Sequence, residues 1–310
     1  MGKWDRALDA AGIEDPQLRE DYGQQRAQAA AFKREIVLAA GLLLPPRLVP
    51  HVVTAIAFMH RTDVLLDSGP LPERRQAYAK WEKEVVDGLT TGETGNPQLR
   101  PLLNTVTAHP VVGDRVRDYL ASADMDLDFV GFVTEDDYQT YVDGYSLPAF
   151  MLIAALLGPV GDASVAYRAA CRVYIEAIQR LDFVNDLAED LADGRLTIPE
   201  QTVKQHGVTR ADLEQARDLP AVRELIATLL AEVEAGLRNS RTAIDLLPPA
   251  HRPLLRSMIR LDELTVTAAR RDIPALLHRP ATPAKPAALR ILLRACLEAR
   301  SIRSISESSG

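Results

Sequence analysis

Residues 47–67 read RLVPHVVTAIAFMHRTDVLLD, and this run decides the fold class. Apolar side chains recur along its whole length at helical intervals, and Gly69 and Pro70 stop it as a helix is stopped. Asp63 and Asp67 fall four apart, which puts both carboxylates on one helical face, with Ile56, Met59 and His60 on the same side toward the N-terminus. That stripe mixes apolar and acidic groups.

Residues 162–193 repeat the arrangement. Tyr167, Ala170, Cys171, Tyr174, Ile178 and Leu181 recur at helical intervals and lead into DFVNDLAED, where Asp182, Asp186 and Asp190 follow every fourth residue and Gln179 stands just before them. Like charges at this spacing repel and weaken a helix by a few tenths of a kcal/mol per pair, so a cation is expected to compensate them. Magnesium is the natural one, because it takes carboxylate and water oxygens and bridges one or two carboxylates to substrate phosphates. Two acidic helices facing each other across a cavity, with Lys or Arg donors, would stabilise charge on a departing diphosphate. A single DxxxD pair is most often a solvated surface. Two, each with apolar neighbours beside the acid, read as a site.

Outside these runs the pattern stays helical, and no alternating Val/Ile/Thr runs bounded by hairpin dipeptides occur, so the fold class is all-α. Breaks fall at Pro45 and Pro46, Gly69 and Pro70, Gly92 through Pro97, Gly158 and Pro159, Gly194, Pro248 and Pro249, and from Pro280 to Pro286. About eight to ten helices result. No linker-like stretch separates them, which predicts one domain over residues 1–299, with a serine-rich flexible tail at 300–310. The net charge of -7 comes with no basic block, which argues against nucleic acid as a partner. Cys171 and Cys296 form no CxxC pair and read as buried thiols of a reducing, cytoplasmic setting. The N-terminal residues lack a secretory pattern, and the longest apolar run, 145–158, is shorter than a bilayer span and contains Pro148, so no transmembrane segment is expected. No GxGxxG fingerprint supports a nicotinamide cofactor. Oligomeric state is left open.

The chain resembles the squalene and phytoene synthases, the trans-isoprenyl head-to-head synthases. AFMHRTDVLLD at 57–67 is similar to their first aspartate-rich motif, with Arg61 and Thr62 in place, and Trp81 and Glu82 fit the tryptophan that follows. MDL at 125–127 resembles the segment ahead of the family's central helix, and Tyr141 matches the first tyrosine of its YCYxVAGxVG motif. QRLDFVNDLAEDLADGRLTIP at 179–199 resembles the second motif, matching at Gln179, Asp186, Glu189, Asp190, Gly194, Arg195 and Pro199. The resemblance implies an isoprenoid synthase bundle around an apolar cavity, and a prenyltransferase that uses Mg2+. It carries the catalytic and metal roles to Asp63, Asp67, Asp186 and Asp190, with Asp182 beside them. Diphosphate contacts fall on Lys33, Arg34, His60, Arg61, Tyr141, Gln179, Asp182 and Arg195.

Departures gather around the cavity. Lys33, Arg34, Glu35, Ile36 and Val37 stand where the family has HSKSF, Ile56 replaces a tyrosine, and His60 replaces a basic residue. Asp182 and Asn185 replace an asparagine and an arginine, and Thr197 replaces the GRxYxP tyrosine. The small-residue run of the central helix becomes YSLPAF at 145–150, so Tyr145 and Phe150 occupy volume that a second long prenyl chain needs. With Ile56, Ser146, Ala149 and Ile153 they form the expected acceptor and prenyl pocket. The favoured reading is transfer of a prenyl group from an allylic diphosphate to a small aromatic acceptor in specialised metabolism, as in phytoene-synthase-like, carbazole-type prenyltransferases. The alternative is head-to-head condensation of two prenyl diphosphates. A non-catalytic lipid-binding relative is expected to lose its aspartates, and here they persist.

Overall fold

The computed structural model describes residues 2–308, with side chains over 2–304. Sixteen α-helices occur among the described residues. They are α1 (Lys3–Ala10), α2 (Pro16–Leu43), α3 (Val49–Asp67), α4 (Leu71–Thr91), α5 (Arg100–Ala108), α6 (Val111–Leu120), α7 (Glu135–Tyr141) and α8 (Leu147–Leu157). They continue as α9 (Ala163–Asn185), α10 (Leu187–Ala192), α11 (Glu200–Gln205), α12 (Arg210–Glu214), α13 (Pro220–Ser240), α14 (Thr242–Leu246), α15 (Arg252–Arg271) and α16 (Lys285–Ser308). The expected breaks all appear. The count exceeds the eight to ten anticipated because short helices such as α10, α11, α12 and α14 leave no full amphipathic period in sequence. No strand occurs among the described residues beyond one isolated parallel bridge between Gly131 and Leu196.

The bundle forms because each long helix has a face to bury. α2 lies along α3, α9 along α13, and α8 packs on α6, α3 and α9, while α16 closes against α15 and α2. One contiguous cluster of buried side chains reaches from Ala7 to Ala299. α8, LPAFMLIAALL, is apolar all round, as a helix enclosed by others must be. With α7 it makes the one described helix long and apolar enough to cross a membrane, Glu135–Leu157 at a mean hydropathy of 1.4. Its position among α3, α6 and α9 accounts for that composition. The start of the 300–310 tail continues α16 to Ser308, and its last two residues lie outside the described residues.

Three irregularities shape the site. α2 bends at Lys33, where φ is -140° and ψ 76°. Between α7 and α8 the chain forms a π turn over Val142–Ser146, a geometry frequent at functional sites. The second acidic run is not one straight helix, because the regular backbone breaks at Asp186, with φ -97° and ψ 10°.

Candidate active site

α3 delivers Asp63 and Asp67 from its last turns. Its first half is buried on every side, from Val49 to Phe58, so the carboxylates emerge where the helix leaves the core. Ile56, expected to line the acceptor pocket, is only 1% exposed and is part of the packed core, because α3 is enclosed at that level. Asp63 Oδ1 accepts hydrogen bonds from Tyr119 Oη at 3.0 Å and Tyr145 Oη at 3.3 Å. Burial pushes the Asp63 carboxyl up to about 6, against the downward pull of those two hydroxyls, and Asp67 and Asp126 add to the rise. Asp67, at the exposed end, is raised by burial and opposed by Arg195 and Arg74.

The π turn aims the next groups. Tyr145 and Ser146 sit within it: Tyr145 reaches Asp63, and Ser146 Oγ donates to Gln179 Oε1 at 2.9 Å. One turn earlier, Tyr141 Oη donates to Asp126 Oδ1 at 2.9 Å. The Tyr141 and Tyr145 rings lie 5.1 Å apart and tilted by 39°, so two adjacent tyrosines hold two neighbouring carboxylates. Phe129, Phe132 and Phe183 pack around Tyr141 and complete an aromatic wall. Phe150 faces elsewhere, edge-on to Tyr174 at 5.5 Å, and Tyr174 Oη donates to Asp262 at 2.7 Å. Ala149 and Ile153 are half-buried beside the core.

The second acidic run is held differently. Asp182 is solvent-accessible, yet the protein packed around it lifts its carboxyl to about 6. Lys33, swung out at the kink of α2, lies close enough to Asp182 and Asp186 to oppose the upward push of burial on both. Past the break at Asp186, Asp190 accepts from Thr197 Oγ1 at 3.0 Å and pairs with Arg195 at 3.2 Å. Thr197 thus acts as a hydrogen-bond donor to the motif. Asn185 takes no part in the cluster; its side chain accepts from the Ala281 amide at 2.7 Å and ties α9 to the segment before α16.

A cleft of about 720 Å³ runs from Asp67, at the end of the first motif, to Asp193, Gly194 and Arg195, past the end of the second acidic run, with Arg74 and Asp126 between them; Asp63, Asp182, Asp186 and Asp190 do not line it. Arg74 and Arg195 each leave a buried Nε without a partner, so donors stand ready beside the acids. The remaining basic candidates do not gather there. His60 stacks on Phe32 at 3.9 Å and burial lowers its ring toward the neutral form. Arg61 sits over Trp81 at 5.9 Å, and Arg34 is exposed beyond the kink. Sequence reasoning missed Asp126, Tyr119 and Arg74 as site residues. Only MDL hinted at Asp126, which lies in a 3-10 turn without periodic signal.

Among the described residues no three acidic, His or Cys side chains close on one point to enclose a metal. The donor set fits magnesium even so, since that ion is commonly held by one or two carboxylates with water and phosphate oxygens filling the rest.

The squalene/phytoene synthase family profile matches residues 34–286. The bifunctional protein CrtB/UppS of Streptomyces coelicolor is 29% identical over 265 residues, covering 84% of this chain and 46% of that protein. Chloroplastic phytoene synthase of Daucus carota is 27% identical over 199 residues, covering 62% of this chain and 49% of that protein. The chain thus spans about half the length of these curated relatives. Among solved structures, squalene synthase HpnC from Alicyclobacillus acidocaldarius superposes with a TM-score of 0.76 at 23% identity, over 87% of this chain and 99% of that one. A dehydrosqualene synthase in complex with ligand gives 0.78 at 18% identity, over 92% and 98%. Both share the fold.

Proposed function

This chain belongs to the squalene/phytoene synthase family, and from that premise we propose that it is a magnesium-dependent prenyltransferase acting on allylic prenyl diphosphates. The observation that supports the reading is the cleft lined by Asp67, Asp126, Arg74 and Arg195, where Arg195 acts on Asp67 and pairs with Asp190 and so links the ends of the two acidic runs. Asp63, Asp67, Asp182, Asp186 and Asp190 are the proposed holders of magnesium. When bound, the ion supplies positive charge that lets diphosphate depart. Arg74, Arg195 and Lys33 are proposed to bind the leaving group. Breaking the C1–O bond leaves an allylic cation, and the ring wall of Tyr141, Tyr145 and Phe129 keeps water from it.

The names of matched curated relatives, phytoene synthases among them, favour head-to-head condensation, in which the alkene of a second prenyl chain attacks that cation. This reading moves ahead of transfer to an aromatic acceptor, which the sequence analysis placed first. The aromatic reading keeps one supporting observation: Tyr145 stands as a bulky ring beside Asp63 in place of a small residue, whereas Phe150 turns away toward Tyr174. Incubating the protein and magnesium with C5, C10, C15 and C20 diphosphates, with and without aromatic compounds, separates the two. Doubled hydrocarbons or their cyclopropyl precursors are expected. Exclusive formation of prenylated aromatics overturns the condensation, and turnover that survives chelation overturns the prenyltransferase reading itself.

A further inference from the structure

A second cavity lies at the other end of α3. It has a volume of about 350 Å³ and is lined by Trp4 and Ala7 of α1, Val37, Leu38, Gly41 and Leu42 of α2, and Val49 and Val53 of α3. Ligand pockets start at about this size. Val53 and Asp63 are ten residues apart on one helix, a separation of about 15 Å along its axis. None of the aspartates reaches it.

The rim is cationic. Lys3, Arg6, Arg26 and Arg303 surround the apolar lining, in a chain whose net charge is -7. Nearby acids are already engaged: Asp5 and Asp9 pair with Arg19, and Glu298 pairs with Arg256. Among the described residues no carboxylate pairs with Lys3, Arg26 or Arg303. Arg26 instead lies over the Trp4 ring at 5.1 Å, and Arg303 donates to the Leu42 carbonyl at 2.7 Å. Burial, then the charge of Arg303, with Arg300 and Arg6 behind it, pulls Lys3 below its usual value, which marks a crowd of like charges. The Trp4 indole N–H is buried without an acceptor. On the floor, Leu38 and Leu42 remain 54% and 42% exposed.

An apolar hollow ringed by donors, with no carboxylate among its described lining residues, is complementary to an anionic head on an apolar chain. We propose that this cavity binds an amphipathic anion, an apolar chain carrying a phosphate or carboxylate head, with the chain on Leu38, Leu42 and Val49 and the head among Lys3, Arg26 and Arg303. Lys3, Trp4, Arg26 and Arg303 lie outside residues 34–286 that the family profile matches, so the flanking segments supply the cationic rim while α2 and α3 supply most of the apolar lining. It stands independently of the reaction proposed for the aspartates.

Dodecyl phosphate is the probe, titrated into the full chain without magnesium and below its micelle concentration, by calorimetry and by tryptophan emission. One saturable site is expected, with an emission change that disappears in Trp4→Phe. Arg26→Gln and Arg303→Gln should each weaken binding by about ten-fold, as loss of a charge-assisted hydrogen bond does, while Asp63→Asn leaves it unchanged. Dodecanol and inorganic phosphate alone should each bind far more weakly. The inference is overturned if dodecyl phosphate fails to bind, if both arginine variants bind it as well as the parent, if Asp63→Asn abolishes binding, or if phosphate alone matches it. Both arginines lie on the rim rather than in the core, and circular dichroism verifies their fold. Should either variant misfold, Leu42→Asp, at an exposed position, puts a repelling charge on the floor and must weaken binding likewise.

Discussion

The two acidic motifs share a spacing and differ in what holds them. On α3, Asp63 is gripped by neutral hydroxyls, those of Tyr119 and Tyr145, and no cation figures among the causes of its shift. On α9 and α10, charge answers charge: Lys33 faces Asp182 and Asp186, and Arg195 pairs with Asp190. Hydrogen bonds from hydroxyls orient a carboxylate without neutralising it, whereas an ion pair does both. Asp63 therefore depends more on a cation from outside the chain, whereas Asp67, four residues on, already meets Arg195 and Arg74.

Removing charge tests this most strongly. Asp63→Asn keeps shape and hydroxyl contacts, and should lower the magnesium-dependent rate by on the order of 10²-fold or more. Asp186→Asn should cost as much or less, because Lys33 already offsets part of that charge. Steady-state rates across a magnesium titration check both, and equal rates in parent and Asp63→Asn would break the comparison.

A smaller effect follows from protonation. Burial pushes the Asp63 carboxyl from its ordinary 3.8 up to about 6, so the folded state binds the proton more tightly than the unfolded one. Its contribution to stability is present below the unfolded value and is lost as pH rises through about 6. Metal-free protein should melt higher at pH 5 than at pH 7, and Asp63→Asn should remove about 1 kcal/mol of that difference. Saturating magnesium competes with the proton and should shift the acid limb of activity to lower pH. An acid limb indifferent to magnesium would contradict the role given to Asp63.

The smallest expected change sharpens the comparison. Tyr145→Phe removes one hydroxyl from Asp63 and, with it, a pull that lowers the carboxyl, so the acid limb should move up by a fraction of a pH unit. Stability should fall by about 1 kcal/mol. Thermal melts and a pH–rate profile measure both, and an unmoved limb would mean that the hydroxyl serves packing alone.

Much of this was legible in the amino-acid string. Helical periodicity announced the bundle, and the spacing of Asp63, Asp67, Asp182, Asp186 and Asp190 announced both motifs, because each is a local pattern. What escaped was either aperiodic or long-range. Asp126 sits in a 3-10 turn, Tyr119 meets Asp63 across 56 residues, and Arg74 joins the cleft only because α4 doubles back beside α3. The break at Asp186 left no Pro or Gly to mark it. Ile56 was misassigned because a face at helical spacing does not reveal how completely neighbouring helices enclose it.

The π turn at Val142–Ser146 has a consequence for how this chamber changes over generations. A π turn holds one residue more than the α-helix it interrupts. Loss of a single codon there would let the backbone relax to plain α-helix and rotate α7 by about 100° against α8. Tyr141 on Asp126 and Ser146 on Gln179 could not both survive that rotation. A point substitution edits one contact at a time, whereas one deletion would re-index the whole wall in a single step.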